Sequence, residues 1–186
     1  GSPEAPPDRA HPHADPWSHP SAPSGWAPCA SCHMADASGR PDGSIPHLAG
    51  QSEEVLRHKL QRLRDGHTHL PVMLPFARAM TTADLDELPR WLASLPPPAP
   101  SGAPQAAEAY TQCATCHGPS GEGSDALLAP RLCAQHASYL LRRTQEVIDN
   151  TRGDASPAMQ VAVATLSQAD LVAIADHLAS TPCPRV

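Results

Sequence analysis

Two pairs of cysteines, each followed at once by a histidine, are the residues of this chain best spaced to do chemistry: Cys29-Ala-Ser-Cys32-His33 and Cys113-Ala-Thr-Cys116-His117. Two thiols separated by two residues can add to the two vinyl groups of one haem, and the adjacent histidine is then held beside the iron. This is the spacing of covalent c-type haem attachment. Four thiolates from the two pairs would also suit a structural zinc. That reading leaves both histidines unexplained and requires the pairs to meet across a whole domain. A thioredoxin-like redox pair needs a strand pattern that this sequence lacks.

The motifs lie 84 residues apart, and other features recur at the same offset. Trp26 and Tyr110 each stand three residues before the first cysteine, Pro46-His-Leu48 matches Pro130-Arg-Leu132, and Gln51 matches Gln135. Gly66 matches Asn150; both tolerate the left-handed conformation that closes a helix. From there the offset becomes 86, pairing Met73 with Met159, Asp84 with Asp170, and Leu85, Leu88 and Leu92 with Leu171, Ile174 and Leu178. A repeat of this kind means one supersecondary unit used twice.

The repeat also selects a second axial ligand for each iron. The first half offers His67, His69, Met73 and Met80, whereas the loop from Thr151 to Met159 contains no histidine and one methionine. Met73 and Met159 both fall eleven residues before the matched aspartate, so they are the expected distal ligands opposite His33 and His117. Met80 aligns with Leu166 and is expected in the core. His67 or His69 replacing Met73 is the alternative that stays open.

The elements that must position these residues read as helices. Ser52 can cap a helix with Glu53 and Glu54 in its first turn and Leu56, Leu60 and Leu63 on one face. Its counterpart carries Tyr139, Leu140, Val147 and Ile148. Thr81-x-x-Asp84 and Ser167-x-x-Asp170 resemble capping boxes that open further helices. Pro89 inside the first of these should remove one backbone bond and bend it locally. With no period-two pattern the fold class is all-α. Residues 1–24 are a Pro- and His-rich arm expected to be flexible, in which His11, His13 and His19 receive no function. Domain 1 spans 25–95, the proline-rich stretch 96–104 is a semi-rigid spacer, and domain 2 spans 105–186.

Six aromatic residues in 186 are too few to fill two cores. Each domain is of a size at which a core alone is marginal, and covalently held haem would supply the missing apolar volume. The net charge is −6 with Lys59 as the single lysine, which excludes a basic nucleic-acid-binding face. No apolar run is long enough for a transmembrane segment. The chain opens Gly1-Ser2 without an apolar targeting segment, and the expectation is a processed, periplasmic protein.

By these motifs and spacings, over residues 22 to 183, the two halves resemble class I cytochrome c domains, and the tandem resembles the dihaem cytochrome c4 family. The resemblance implies two tandem domains, each wrapped around one covalent haem c. It also implies a hydrogen bond from each axial histidine to the carbonyl of the proline in Pro-x-Leu, namely Pro46 for His33 and Pro130 for His117. It further implies an aromatic contact between the N-terminal and last helices, Trp26 with Trp91 and, less cleanly, Tyr110 with His177. Met34 departs from the glycine that follows the haem histidine in the family, as Gly118 does, and Ala134 stands where the first half has Gly50. In such a fold the segments holding Cys133 and Cys183 approach, so a disulfide is expected in an oxidising compartment, with two free thiols as the alternative.

Histidine and methionine together leave no open coordination position. The expected function is therefore single-electron transfer, not catalysis, between periplasmic or membrane redox partners: an electron donor and a terminal oxidase or reductase, with association at a membrane surface possible. The alternative is a cytochrome subunit or catalytic dihaem component of a sulfur-compound dehydrogenase.

Overall fold

A computed structural model describes residues 18–185; the N-terminal part of the arm, including His11 and His13, lies outside the described residues. Among the described residues eight α-helices follow in order: α1 (Ala27–His33), α2 (Glu53–Arg64), α3 (Leu74–Ala79), α4 (Thr82–Ser94), α5 (Thr111–His117), α6 (Ala137–Ile148), α7 (Pro157–Ala164) and α8 (Gln168–Ala179). The second four repeat the first four. A short 3-10 turn precedes both α1 and α5. Among the described residues the only β-type pairing is one bridge, Ser124 with Ala129.

The helices begin where the sequence places their caps. Ser52 Oγ accepts from Val55 N–H at the start of α2. Thr81 with Asp84 and Ser167 with Asp170 each form a complete capping box, satisfying two otherwise orphaned donors apiece. Gly66 and Asn150 lie just beyond α2 and α6 with φ of 80° and 51°. α4 runs on through Pro89, which is fully buried, so the lost backbone bond is offset by packing.

In each half the long second helix packs on the long last helix, α2 on α4 and α6 on α8, and the short helix between them lies against the former. Trp26, Leu56, Leu88, Trp91 and Leu92 make the first core, with Met80 packed against it as expected. Tyr110, Leu140, Ala175 and Leu178 make the second. The Trp26 and Trp91 rings lie 5.0 Å apart, and the Tyr110 and His177 rings 5.2 Å apart. The same aromatic lock therefore closes both halves. The end of the arm joins the first of these locks: the His19 ring meets Trp91 edge-on at 5.6 Å, and Trp91 Nε1 donates to Ser21 Oγ. Ordered packing thus begins before residue 25. The spacer is tied down as well, since Ser101 N–H donates to the Ala179 carbonyl.

Met34 ends α1 at φ 70° and ψ 160°, where its counterpart Gly118 ends α5 at φ 83° and ψ 158°. That region is accessible almost only to glycine, and a side chain there costs about 1–3 kcal/mol. Glycine itself loses about 0.5–1 kcal/mol of chain entropy. Met34→Gly is therefore expected to stabilise the protein by about 1 kcal/mol, read as a rise in the denaturant midpoint.

Candidate haem-binding sites

Both Cys-x-x-Cys-His motifs lie on the short helices α1 and α5. The helical pitch sets the two thiols of each pair about one turn apart along one side. Cys29 and Cys113 are half-buried, whereas Cys32 and Cys116 are exposed, so the two pairs share one disposition. Burial, with Asp84 and Cys32 nearby, pushes the Cys29 thiol up to about 11, and burial raises Cys113 as well. A redox-active or zinc-binding pair has the opposite need, a thiolate stabilised near neutral pH. Among the described residues no three His, Cys, Asp or Glu side chains converge to hold a metal ion. The four-thiolate arrangement is thus not formed.

His33 and His117 end these helices and are each only 7% exposed. Burial holds His33 down at about 4 and lowers His117, so both imidazoles are neutral at neutral pH, which is the form that ligates a metal. His117 Nδ1 lies 3.0 Å from the Pro130 carbonyl. That bond orients the ring and leaves Nε2 as the nitrogen free for iron. In the first half the Pro46 carbonyl acts on His33 in the same sense, but Nδ1 there makes no well-formed hydrogen bond.

Met73 is half-buried immediately before α3, and Met159 is half-buried in the first turn of α7, where its N–H is capped by Ser156 Oγ. The helix around the second methionine therefore starts earlier, a difference that sequence register alone does not reveal. His67 and His69 are both exposed, unlike Met73. Apolar side chains stand exposed beside both methionines: Val72 and Phe76 at 72% and 41%, and Val161 at 72%. Apolar surface of this extent next to neutral, oriented imidazoles and paired thiols fits a large flat apolar group such as haem.

Cys133 and Cys183 are joined in a disulfide that closes a 50-residue separation. It pins the chain after α8 to the loop before α6. Ala134, next to it, takes φ 53° where Gly50 has 72°, and each N–H donates to the equivalent carbonyl of the last helix, Leu178 or Leu92. The alanine is thus tolerated with the backbone course unchanged.

The residues that sequence reasoning left unassigned lie between the halves. Gln51 binds the backbone of Arg131, and Gln135 binds the backbone of His47. His136 Nε2 reaches the Ser38 carbonyl, and Arg142 reaches the Gly43 carbonyl. The signal was present in the shared offset of Gln51 and Gln135, which marks a matched role without saying what that role is. The His47 and His136 rings stack at 5.3 Å in this contact. Desolvation, then the neighbouring His136, hold His47 down at about 4, with Asp36 acting weakly the other way. A histidine kept neutral in the folded state gives stability that is complete above its ordinary pKa and is lost as pH falls towards the folded value. Stability should therefore decline between about pH 6.5 and pH 4, and His47→Gln should flatten part of that slope in pH-dependent denaturation.

A family model described as cytochrome c matches residues 104–182. The thiosulfate dehydrogenase electron acceptor of Stutzerimonas stutzeri (strain A1501) is 31% identical over 169 residues, covering 82% of this chain and 78% of that protein. Cytochrome c4 of Pseudomonas aeruginosa is 29% identical over 168 residues, covering 82% of this chain and 83% of that one. The crystal structure of reduced recombinant cytochrome c4 from Pseudomonas stutzeri superposes with a TM-score of 0.69 at 24% identity, over 84% of this chain and 95% of that one.

Proposed function

Because the chain belongs to the dihaem cytochrome c4 family of tandem cytochrome c domains, an electron-transfer family that binds haem c covalently, we propose that it carries two haems, one per half, and relays single electrons between them. Cys29 and Cys32 would attach the first, with His33 and Met73 as axial ligands. Cys113 and Cys116 would attach the second, with His117 and Met159. The observation that carries this reading is the repeated neutral, buried imidazole at the end of a Cys-x-x-Cys helix, with the Pro130 carbonyl holding His117 Nδ1.

Bound haem c supplies a one-electron iron couple. The chain's own residues do the rest. The cysteines would fix the group on α1 and α5, and the Pro130 carbonyl sets the ring plane and tautomer of His117. Met73 and Met159 would hold the iron opposite the histidines, and thioether ligation there would raise the reduction potential and leave no position for substrate or oxygen. The cores on either side keep water away. We assign the chain to the periplasm, in exchange with redox proteins. The similarity to thiosulfate dehydrogenase electron acceptors supports a sulfur-compound dehydrogenase as the donor, and we assign a terminal oxidase or reductase as the acceptor. Among the described residues no single helix is long and apolar enough to cross a membrane. The proposed role needs none in this part of the chain.

Mass spectrometry of the holoprotein, followed by potentiometric titration with spectra, tests the reading. The expected result is a mass increase of two haems and two one-electron steps with methionine-ligation bands. One haem, or carbon monoxide binding rapidly and stoichiometrically to the reduced native protein, would overturn it.

A further inference from the structure

Each half reaches across to the peptide group that follows the proline of the other half's Pro-x-Leu segment. Gln51 Oε1 accepts from Arg131 N–H at 2.8 Å, and Gln51 Nε2 donates to the Arg131 carbonyl at 3.0 Å. Gln135 Oε1 accepts from His47 N–H at 2.8 Å, and its Nε2 donates to the His47 carbonyl at 2.9 Å. Both glutamine oxygens also accept from the next residue's N–H, Ser52 or His136, which locks the side chains at the starts of α2 and α6. The two clasps are related by the sequence repeat, since donors and targets alike match at an offset of 84.

The targets are not arbitrary backbone. Arg131 N–H belongs to the same peptide group as the Pro130 carbonyl, which holds His117 Nδ1. His47 N–H likewise belongs to the peptide group of Pro46, but His33 Nδ1 has no hydrogen-bond partner, so the repeat-related path stops there. An amide is a conjugated unit, so a hydrogen bond accepted from its N–H moves electron density to its oxygen and makes that oxygen a better acceptor. A better acceptor draws the Nδ1 proton further from the imidazole, and the more electron-rich ring favours the oxidised iron.

We propose that Gln51 is a positioning residue for His117, so that the first half tunes the axial histidine of the second through one peptide group. This rests on His33 and His117 being the axial ligands of the two haems. The relay is complete from Gln51 to His117. From Gln135 the path ends at a His33 Nδ1 without a hydrogen bond, so that clasp is the comparison in which no relay operates.

The test uses the full-length holoprotein with Gln51→Leu and Gln135→Leu, each close in volume to the residue it replaces and unable to form the clasp. Haem-resolved potentiometry by NMR is expected to show that Gln51→Leu raises the reduced-to-oxidised ratio of the second-half haem about threefold at fixed potential, or about 30 mV for a one-electron couple. The first-half haem should stay unchanged. Gln135→Leu, which removes the matched clasp where no hydrogen bond reaches the histidine, should leave both potentials unchanged. The His117 Nδ1–H resonance of the reduced protein should move upfield in Gln51→Leu. It should move downfield in Gln51→Glu, which keeps a stronger acceptor on the Arg131 N–H. Equal shifts at both haems, or a shift confined to the variant's own half, would show only a structural clasp and overturn the proposal. If Gln51→Leu does not fold, an unmoved His117 resonance in Gln51→Glu overturns it instead. Failure of the underlying reading is distinguishable, because it would appear in the unaltered protein as a missing haem or a non-histidine ligand.

Discussion

Met159→Ala is expected to let carbon monoxide bind the reduced second-half haem stoichiometrically and to lower its reduction potential by on the order of 0.1 V. The loop from Thr151 to Met159 contains no other soft or imidazole ligand, and Met159 itself is half-buried in α7 behind the Ser156 cap. Removal of its thioether would therefore leave a haem iron held there one ligand short. The matched change in the first half should differ. His67 and His69 are exposed close to Met73 in sequence, so Met73→Ala has two imidazoles available to take the vacated position. Its potential should fall because a nitrogen ligand replaces sulfur, with little carbon monoxide binding. Carbon monoxide titration of the two reduced variants checks both expectations. A Met159→Ala protein indifferent to carbon monoxide and unchanged in potential would remove Met159 from the ligand set.

Replacing Cys133 and Cys183 together by alanine should destabilise the protein by about 4 kcal/mol, because the bond they form closes a 50-residue separation and so removes much of the freedom of the unfolded chain. Alanine suits position 133 sterically, since Ala49 occupies the matched place in the first half and is as buried there. The double substitution thus deletes the cross-link without opening a large cavity or leaving a lone reactive thiol. Thermal unfolding of the holoprotein should show a transition lowered by roughly 15 °C or more for a unit of this size. The loss should be confined to the second half, while the first half, which has no such bond among the described residues, keeps its own transition. An unchanged profile would mean that the covalent haem, by holding the same segments together, makes the disulfide redundant.

Much of the local structure was legible in the sequence because its causes are local. A serine or threonine three residues ahead of an aspartate can satisfy two exposed amides wherever the chain goes, and both predicted capping boxes form. Gly66 and Asn150 end their helices for a reason internal to their own backbone. The two Cys-x-x-Cys-His motifs need only a single helical turn. The consequence of Met34 was less legible: its departure from glycine was visible, but only the observed φ and ψ turn that departure into strain.

What the sequence by itself determined is the repeated chemical unit: two Cys-x-x-Cys-His helices, a methionine in register with each, and an all-α course, all set by spacing and capping. What the tertiary structure alone decided is how the units are joined and how well each histidine is held. Gln51 and Gln135 were visible as a matched pair, yet their partners lie 80 and 88 residues away along the chain. Contacts at that distance depend on how one folded surface lies on another, and no local propensity encodes that. The same holds for the unequal grip on the two buried imidazoles, His117 held by the Pro130 carbonyl and His33 Nδ1 without a hydrogen bond, because that difference is set by how packed loops meet and not by either motif.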